Sequence, residues 1–239
     1  MSADFTFMGT DKNIVNFLNR YEVNENTILT LKGEFRSTGK IKSILYFGLH
    51  CFREDGNEIM GPDNHRVRES HIIKSFDSNG KKFTLDEKPS YSWENDQYYQ
   101  NENIRRYLGI YFDGKTNHLP DYLIKAPAYY NFIDNNISLK TQLPKEILDK
   151  IVPDTTRIMN HYGAGYLYCS ACGATVPENW TKYESTLNGF SEFSDAPGKF
   201  RLGTKKVSPL ILPNYGQNEY AILEARNVEI NIKDKPKIM

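Results

Sequence analysis

The residues of this chain whose types and spacing could do chemistry fall into three groups. The first, Gly109-Ile-Tyr-Phe-Asp-Gly-Lys-Thr116, has the spacing of a phosphate-binding loop. Such a loop wraps a phosphate in backbone amides, and its lysine leads straight into a helix whose positive end faces the anion. Here Ile110, Tyr111 and Phe112 favour a strand, and Asn117-His-Leu-Pro120 follows where the helix should run. The better reading is a hairpin turn at Asp113-Gly114. The second group, Cys169-Ser-Ala-Cys172, has the spacing of half a zinc site. A tetrahedral site needs two further ligands, which would have to be Cys51 and a histidine such as His50 or His161. The alternative is two buried strand cysteines and one in a turn, and the expectation carries neither metal nor cofactor. The third group is Tyr91, Trp93, Asn95, Asp96, Gln97, Tyr98 and Tyr99, packed into one short segment. Sugar rings stack their apolar C–H faces on exposed aromatic rings while amides and carboxylates satisfy the hydroxyls, so these seven residues are the candidate ligand-binding set. Some of those rings could instead tuck the segment onto the body of the protein. No nucleophile elbow, zinc-protease helix or assignable carboxylate pair accompanies them, so no enzyme is expected.

The elements that must hold these residues read as strands. Two stretches, 28–35 and 41–51, alternate apolar and polar residues across a turn-rich connection at Ser37-Thr-Gly-Lys40, which predicts an antiparallel meander. Asp55-Gly56 carries a hairpin signal that ends the second of them. Further strands are predicted at 66–76, 82–85, 105–113, 121–125, 156–162, 165–169 and 180–190, and the runs after Lys199 and Tyr220 close the fold. The period of 14–18 does not decide between strand and helix. Pro144-Lys-Glu-Ile-Leu-Asp-Lys-Ile-Val152 is the best helix, with Pro at its start and Ile147, Leu148 and Ile151 on one face, and is expected to plug an end of the sandwich. Trp180, at the head of an alternating strand, is expected in a core or structural role. Residues 89–100 read as a long surface loop.

Composition narrows the partners. With 30 basic and 30 acidic residues the chain has no formal net charge, and neither nucleic acid nor an anionic membrane is expected to attract it. No run approaches the roughly 18 apolar residues of a membrane span, and Met1-Ser-Ala-Asp-Phe-Thr is unlike a secretory signal, so synthesis in the cytoplasm is expected. Three cysteines, an odd number, argue against a disulfide framework. The 239 residues suit one β-sandwich domain over 1–239, and no repeat or linker divides it.

Three segments carry a family resemblance. Leu29-Thr-Leu-Lys-Gly-Glu-Phe-Arg-Ser leads to Leu45-Tyr-Phe-Gly-Leu-His-Cys-Phe-Arg-Glu-Asp-Gly. Gly165-Tyr-Leu-Tyr is followed by Val176-Pro-Glu-Asn-Trp-Thr-Lys-Tyr. Lys199-Phe-Arg-Leu-Gly-Thr-Lys-Lys-Val is followed by Ala225-Arg-Asn-Val-Glu-Ile. Together they resemble the jelly-roll carbohydrate-binding modules appended to polysaccharide-degrading enzymes, and more closely the versions in phage tail fibres and other viral surface proteins. The resemblance implies an all-β jelly-roll sandwich, here with a long insertion at approximately 60–160 and one short helix. It implies a non-catalytic glycan-recognition protein in a virion fibre or other surface assembly, with a glycan or polysaccharide as ligand and self-association or other assembly subunits as partners. A structural subunit of a filament, capsid or tail is the alternative, and a polysaccharide hydrolase a third. Many such modules hold a structural calcium, for which the sequence gives no ligand set.

Overall fold

The computed structural model describes residues 4–10, 14–59, 61–62, 70–89, 106–116, 118–125, 129–162, 165–191 and 197–235. The chain forms two compact units, one from Met1–Ile59, Gly165–Ser191 and Asp195–Met239, the other from Met60–Ala164 with Glu192–Ser194. Among the described residues the secondary structure is antiparallel strand with one helical turn. In chain order the strands are β1 (Phe5–Met8), β2 (Val15–Asn16), β3 (Tyr21–Glu22), β4 (Thr27–Ser37), β5 (Ile44–Phe52) and β6 (Gly61–Pro62). They continue as β7 (Ser70–Phe76), β8 (Lys82–Leu85), β9 (Arg106–Tyr111), β10 (Tyr122–Lys125), β11 (Tyr129–Ile133) and β12 (Asn136–Leu139). After helix α1 (Lys145–Leu148) come β13 (Arg157–Tyr162), β14 (Tyr166–Thr175), β15 (Thr181–Asn188), β16 (Lys206–Pro213) and β17 (Ile222–Asp234).

The first unit has two sheets. Sheet I runs β1-β17-β4-β15, and sheet II runs β2-β16-β5-β14 with β3 also on β16. First pairs with last throughout: β1 with β17, β2 with β16, β4 with β15 and β5 with β14. A long antiparallel hairpin whose successive pairs fall alternately into two facing sheets is an eight-stranded jelly roll. The second unit is formed by the chain that runs between β5 and β14, and those two strands are joined within the first unit by the bond from Cys51 N to Gly165 O at 2.7 Å.

The alternation read from the sequence is most regular in β4, where Thr27, Leu29, Leu31, Gly33, Phe35 and Ser37 are buried and the residues between them are half-buried. Opposite them β5 points Leu45, Phe47, Leu49 and Cys51 inward, all fully buried. Phe35 and Phe47 meet at 4.9 Å between ring centroids with their planes 60° apart, and Tyr183 of β15 sets its edge against Phe35 at 5.8 Å. These rings join the two sheets.

Strands β4 and β5 are not paired, contrary to the expected meander. The connection between them is a corner, not a hairpin. The buried Ser37 Oγ accepts from Ser43 N at 3.0 Å, and Ile41 bridges to Ala221, so the chain is turned out of sheet I and into sheet II. Trp180 takes a structural place on the surface of sheet I. It is half-buried just ahead of β15, with the Arg36 and Arg226 guanidinium groups 4.7 and 4.1 Å from its ring. Each arginine is also tied to a carboxylate, Arg36 to Glu224 at 2.7 Å and Arg226 to Glu34 at 2.6 Å.

The second unit is built on one sheet of order β10-β9-β13-β7-β8-β12-β11, with β6 on β13. Its core gathers Ile73, Phe83, Leu85, Leu108, Ile110, Ile124, Ile137, Leu139 and Ile158 from six of these strands together with Ile147, Leu148 and Ile151. The apolar face of the predicted helix therefore belongs to the core of this unit and not to that of the sandwich. The helix is a single α turn, and it tightens into i→i−3 bonds from Lys150 N to Ile147 O and Ile151 N to Leu148 O. The phosphate-loop spacing falls on β9 and the turn that ends it, where Gly114 adopts φ +73° and donates to Tyr111 O at 3.2 Å; among the described residues no helix follows.

Candidate functional site

The outward face of sheet II carries a row of tyrosines. Alternation in β5 sends Tyr46, Gly48, His50 and Phe52 to the side opposite its core residues. Across the ladder, Tyr166 of β14 pairs with His50, and Leu167 with Leu49. The next registered pair is Ala171 with Phe47, so three residues of β14 stand opposite Gly48 alone. This bulge carries the β14 backbone over Gly48, where a Cβ would overlap the Leu167 carbonyl oxygen and lie 2.8 Å from the Tyr168 Cα. A bulge bends its strand and re-aims side chains. Here it lays the Tyr168 ring 4.9 Å from Tyr46 and 6.3 Å from Tyr166.

The row extends at both ends. Tyr215, just beyond β16, sets its edge against Tyr46 at 5.6 Å. At the other end the His50 ring lies 5.1 Å from Tyr166 and 4.2 Å from Phe52, whose face holds the Arg20 guanidinium at 3.8 Å. His50 Nε2 approaches Glu58 Oε1 at 3.2 Å. Beneath Tyr166, the buried Arg201 donates from its Nη2 to the Tyr166 carbonyl at 2.6 Å and fixes the backbone there. Tyr46, Tyr166 and Tyr168 are half-buried, whereas Tyr215 is 60% exposed. Burial pushes the Tyr46 phenol above its ordinary pKa, and the neighbouring Cys172 thiol and Tyr215 phenol add to the effect. The phenol therefore stays neutral and able to donate at physiological pH. The row offers tilted aromatic rings, each carrying a phenol hydroxyl.

The seven residues singled out by composition, Tyr91, Trp93, Asn95, Asp96, Gln97, Tyr98 and Tyr99, lie outside the described residues. Sequence reasoning treated Tyr46, Tyr166 and Tyr168 as strand residues of the family-like segments and did not bring them together. The signal available was the parity of Tyr46 with His50 along β5; the β14 bulge that completes the row leaves no mark in apolar periodicity.

The cysteines do not converge. Cys51 faces the core, Cys169 is half-buried with its Sγ 3.3 Å from Ser185 Oγ, and Cys172 is exposed. Among the described residues, the metal-ligating atoms that gather are those of Asp113, His118 and Asp121, in the connection from β9 to β10. Internal hydrogen bonds already account for them. Asp113 Oδ1 accepts from Lys115 N at 2.9 Å, Asp121 Oδ2 from Phe112 N at 2.8 Å, and His118 reaches the Leu119 carbonyl at 2.7 Å and Asp113 at 3.0 Å.

Both His118 partners are acceptors, an arrangement that favours the protonated ring. Burial opposes that charge, but the Asp113 and Leu119 hydrogen bonds and the charges of Asp113 and Asp121 outweigh it and raise the His118 pKa. The His118 hydrogen bond, followed by the Lys115 amide, lowers that of Asp113. A raised histidine stabilises the fold fully below its unfolded value of about 6.5, and the contribution is lost as pH rises through the folded value. A lowered carboxylate contributes above its unfolded value and fades as pH falls through the folded one. The pair is thus strongest in weak acid. The His118 ring protons, followed by NMR, should titrate above the ordinary imidazole midpoint, and Asp113→Asn should bring the midpoint down. An unchanged midpoint in D113N would contradict the assignment.

Comparison with known proteins gave no matching family model, no matching curated protein and no matching solved structure.

Proposed function

We propose that this chain is a non-catalytic glycan-recognition jelly roll, acting from a virion fibre or another surface assembly. The observation that carries the reading is the row Tyr215, Tyr46, Tyr168 and Tyr166, whose neighbouring centroids lie 5.6, 4.9 and 6.3 Å apart along one sheet face. Aromatic surface interleaved with hydroxyls suits a chain of sugar rings, which alternates apolar faces with polar rims. A single site of this kind binds weakly, and repetition in an assembly would supply avidity. The family resemblance of the three segments points the same way.

The test is a glycan array probed with the whole protein, alongside Tyr46→Ala, Tyr168→Ala and the triple variant Trp93→Ala/Tyr98→Ala/Tyr99→Ala. Loss of one stacking ring should weaken binding roughly two- to tenfold. If Y46A and Y168A bind as the unchanged protein does while the triple variant fails, the site belongs to the 91–99 segment and not to the row. If no glycan binds at all, the reading is wrong.

A second reading, a structural subunit of a filament, capsid or tail, is favoured by one observation. Edge strand β1 exposes Phe5 and Met8, and Leu18 nearby is almost fully exposed. An apolar edge strand is a template for pairing with another chain. Light scattering on the array preparation bears on this reading, because a monomer at micromolar concentration argues against it.

A further inference from the structure

Next to Tyr215, and within the same unit, the segment 214–218 encloses a recess of about 560 Å³ together with Ile41, Leu212 and Pro213. From its lining we infer that the recess is the terminal subsite of the tyrosine row and takes one uncharged sugar ring at a chain end. The inference rests on the glycan reading above and adds to it which part of the glycan is read and what charge it carries.

The recess is built, not incidental. Its wall segment turns sharply after β16, with Asn214 at φ +50° and Gly216 at φ +72°. Gln217 then pins it to the start of β5: its Oε1 accepts from Ile44 N at 2.7 Å, and its Nε2 donates to Lys42 O at 2.6 Å. Asn214 N donates to Ile44 O at 2.8 Å, and Asn214 Nδ2 to Phe7 O at 2.9 Å. At the far end Ala221 N returns to Asn218 O at 3.0 Å. Side chains held this way are ordered before a ligand arrives, which lowers the entropic cost of binding. The volume lies in the range of pockets that enclose small ligands.

The lining gives the chemistry. None of its residues carries a formal charge, so an acidic or basic ligand would lose hydration without gaining a counter-ion. Ile41, Leu212, Pro213 and the Tyr215 ring supply apolar surface. Asn214 is 2% exposed, and its amide points to the protein's own backbone, with Nδ2 donating to Phe7 O, so it shapes the wall of the recess. Asn218 uses its Oδ1 to cap Tyr220 N at 3.1 Å, which leaves its Nδ2 as a donor, and Tyr215 adds a hydroxyl. An apolar wall with an amide donor and a phenol hydroxyl, and no charge, matches a neutral pyranose.

The experiment prints the whole protein on matched pairs: lactose- and chitobiose-terminated glycans against their sialylated forms, and cello-oligosaccharides against oligoglucuronates. Two variants accompany it, Ile41→Trp to fill the recess and Tyr215→Ala to open it; Tyr215 is exposed enough that its loss should leave the fold intact, as a thermal melt will verify. Neutral termini should bind at least tenfold better than their acidic partners, and both variants should lose that preference while weak binding along the row persists. Equal binding of neutral and acidic termini, or a preference that survives Y215A, overturns the recess as the terminal subsite and leaves the glycan reading standing. Binding to no glycan removes both.

Discussion

Replacing Gly48 by valine should disrupt the edge of sheet II and, with it, the tyrosine row on which the proposed glycan binding rests. The β14 backbone passes directly over this residue, and the first atom of any side chain would meet the Leu167 carbonyl and the Tyr168 Cα. Overpacking usually costs about 1–3 kcal/mol, and the upper end applies where the obstacle is a neighbouring backbone that cannot rotate away. Relief requires β14 to move off β5, which breaks the Leu167 to Leu49 pairing and carries Tyr168 away from Tyr46. Urea unfolding should show a midpoint lowered by about 1 M or more at an m of 1–3 kcal/mol/M. The near-ultraviolet dichroism of the tyrosines should fall in the same variant. A G48V protein with unchanged midpoint and unchanged tyrosine signal would mean that the bulge does not lie over Gly48.

Phe35→Ala should be the most destabilising single truncation in the jelly roll, at about 3–5 kcal/mol. The ring is fully buried, touches Phe47 of the opposite sheet and Tyr183 of its own, and overlies Gly33. Because Gly33 has no side chain, nothing beneath the ring can relax into the space it leaves. A cost of that size is a large part of the 5–15 kcal/mol that keeps a domain folded. The same packing predicts a coupling. A Cβ on Gly33 would lie 2.9 Å from the Phe35 ring and 3.3 Å from that of Phe47. Gly33→Ala should therefore destabilise the unchanged protein yet be tolerated better in the Phe35→Ala background, which a double-mutant cycle reads as non-additivity. Additive effects, or a loss below about 1 kcal/mol for F35A, would show that the inter-sheet rings do not carry this core.

What could be read from the sequence follows from how far each signal reaches along the chain. The alternation in 27–37 survives because β4 has a sheet neighbour on each side and a core on one face, so period 2 is enforced at every residue. The turns at Asp55-Gly56 and Asp113-Gly114 were legible because positive φ demands particular residues, and both glycines adopt it. The hairpin β11–β12 was missed although its turn residue Asp134 sits at φ +54°, since Asp134-Asn135 is a weaker turn signal than Asp-Gly. Pairing was not legible: whether 41–51 joins 28–35 as a hairpin or leaves for the other sheet depends on Ser37 and Ser43 meeting across a corner, and no periodicity reports that. The tyrosine row was hidden for a related reason. It needs Tyr46 and Tyr168, far apart in the chain, and a bulge whose only trace is a glycine.

The first-with-last pairing of the jelly roll also dictates an order of assembly during synthesis. β1 is bonded to β17, and β4, at the centre of sheet I, has β17 on one side and β15 on the other. Among the described residues, neither of these strands has a sheet partner until more than two-thirds of the chain has been made. Among the described residues, the strands of the inserted unit, β6 to β13, pair only with one another and are complete by Tyr162. The inserted unit can thus be finished before the C-terminal strands of the jelly roll are made, so that the emerging chain meets its cellular surroundings with unpaired N-terminal strands and a folded middle.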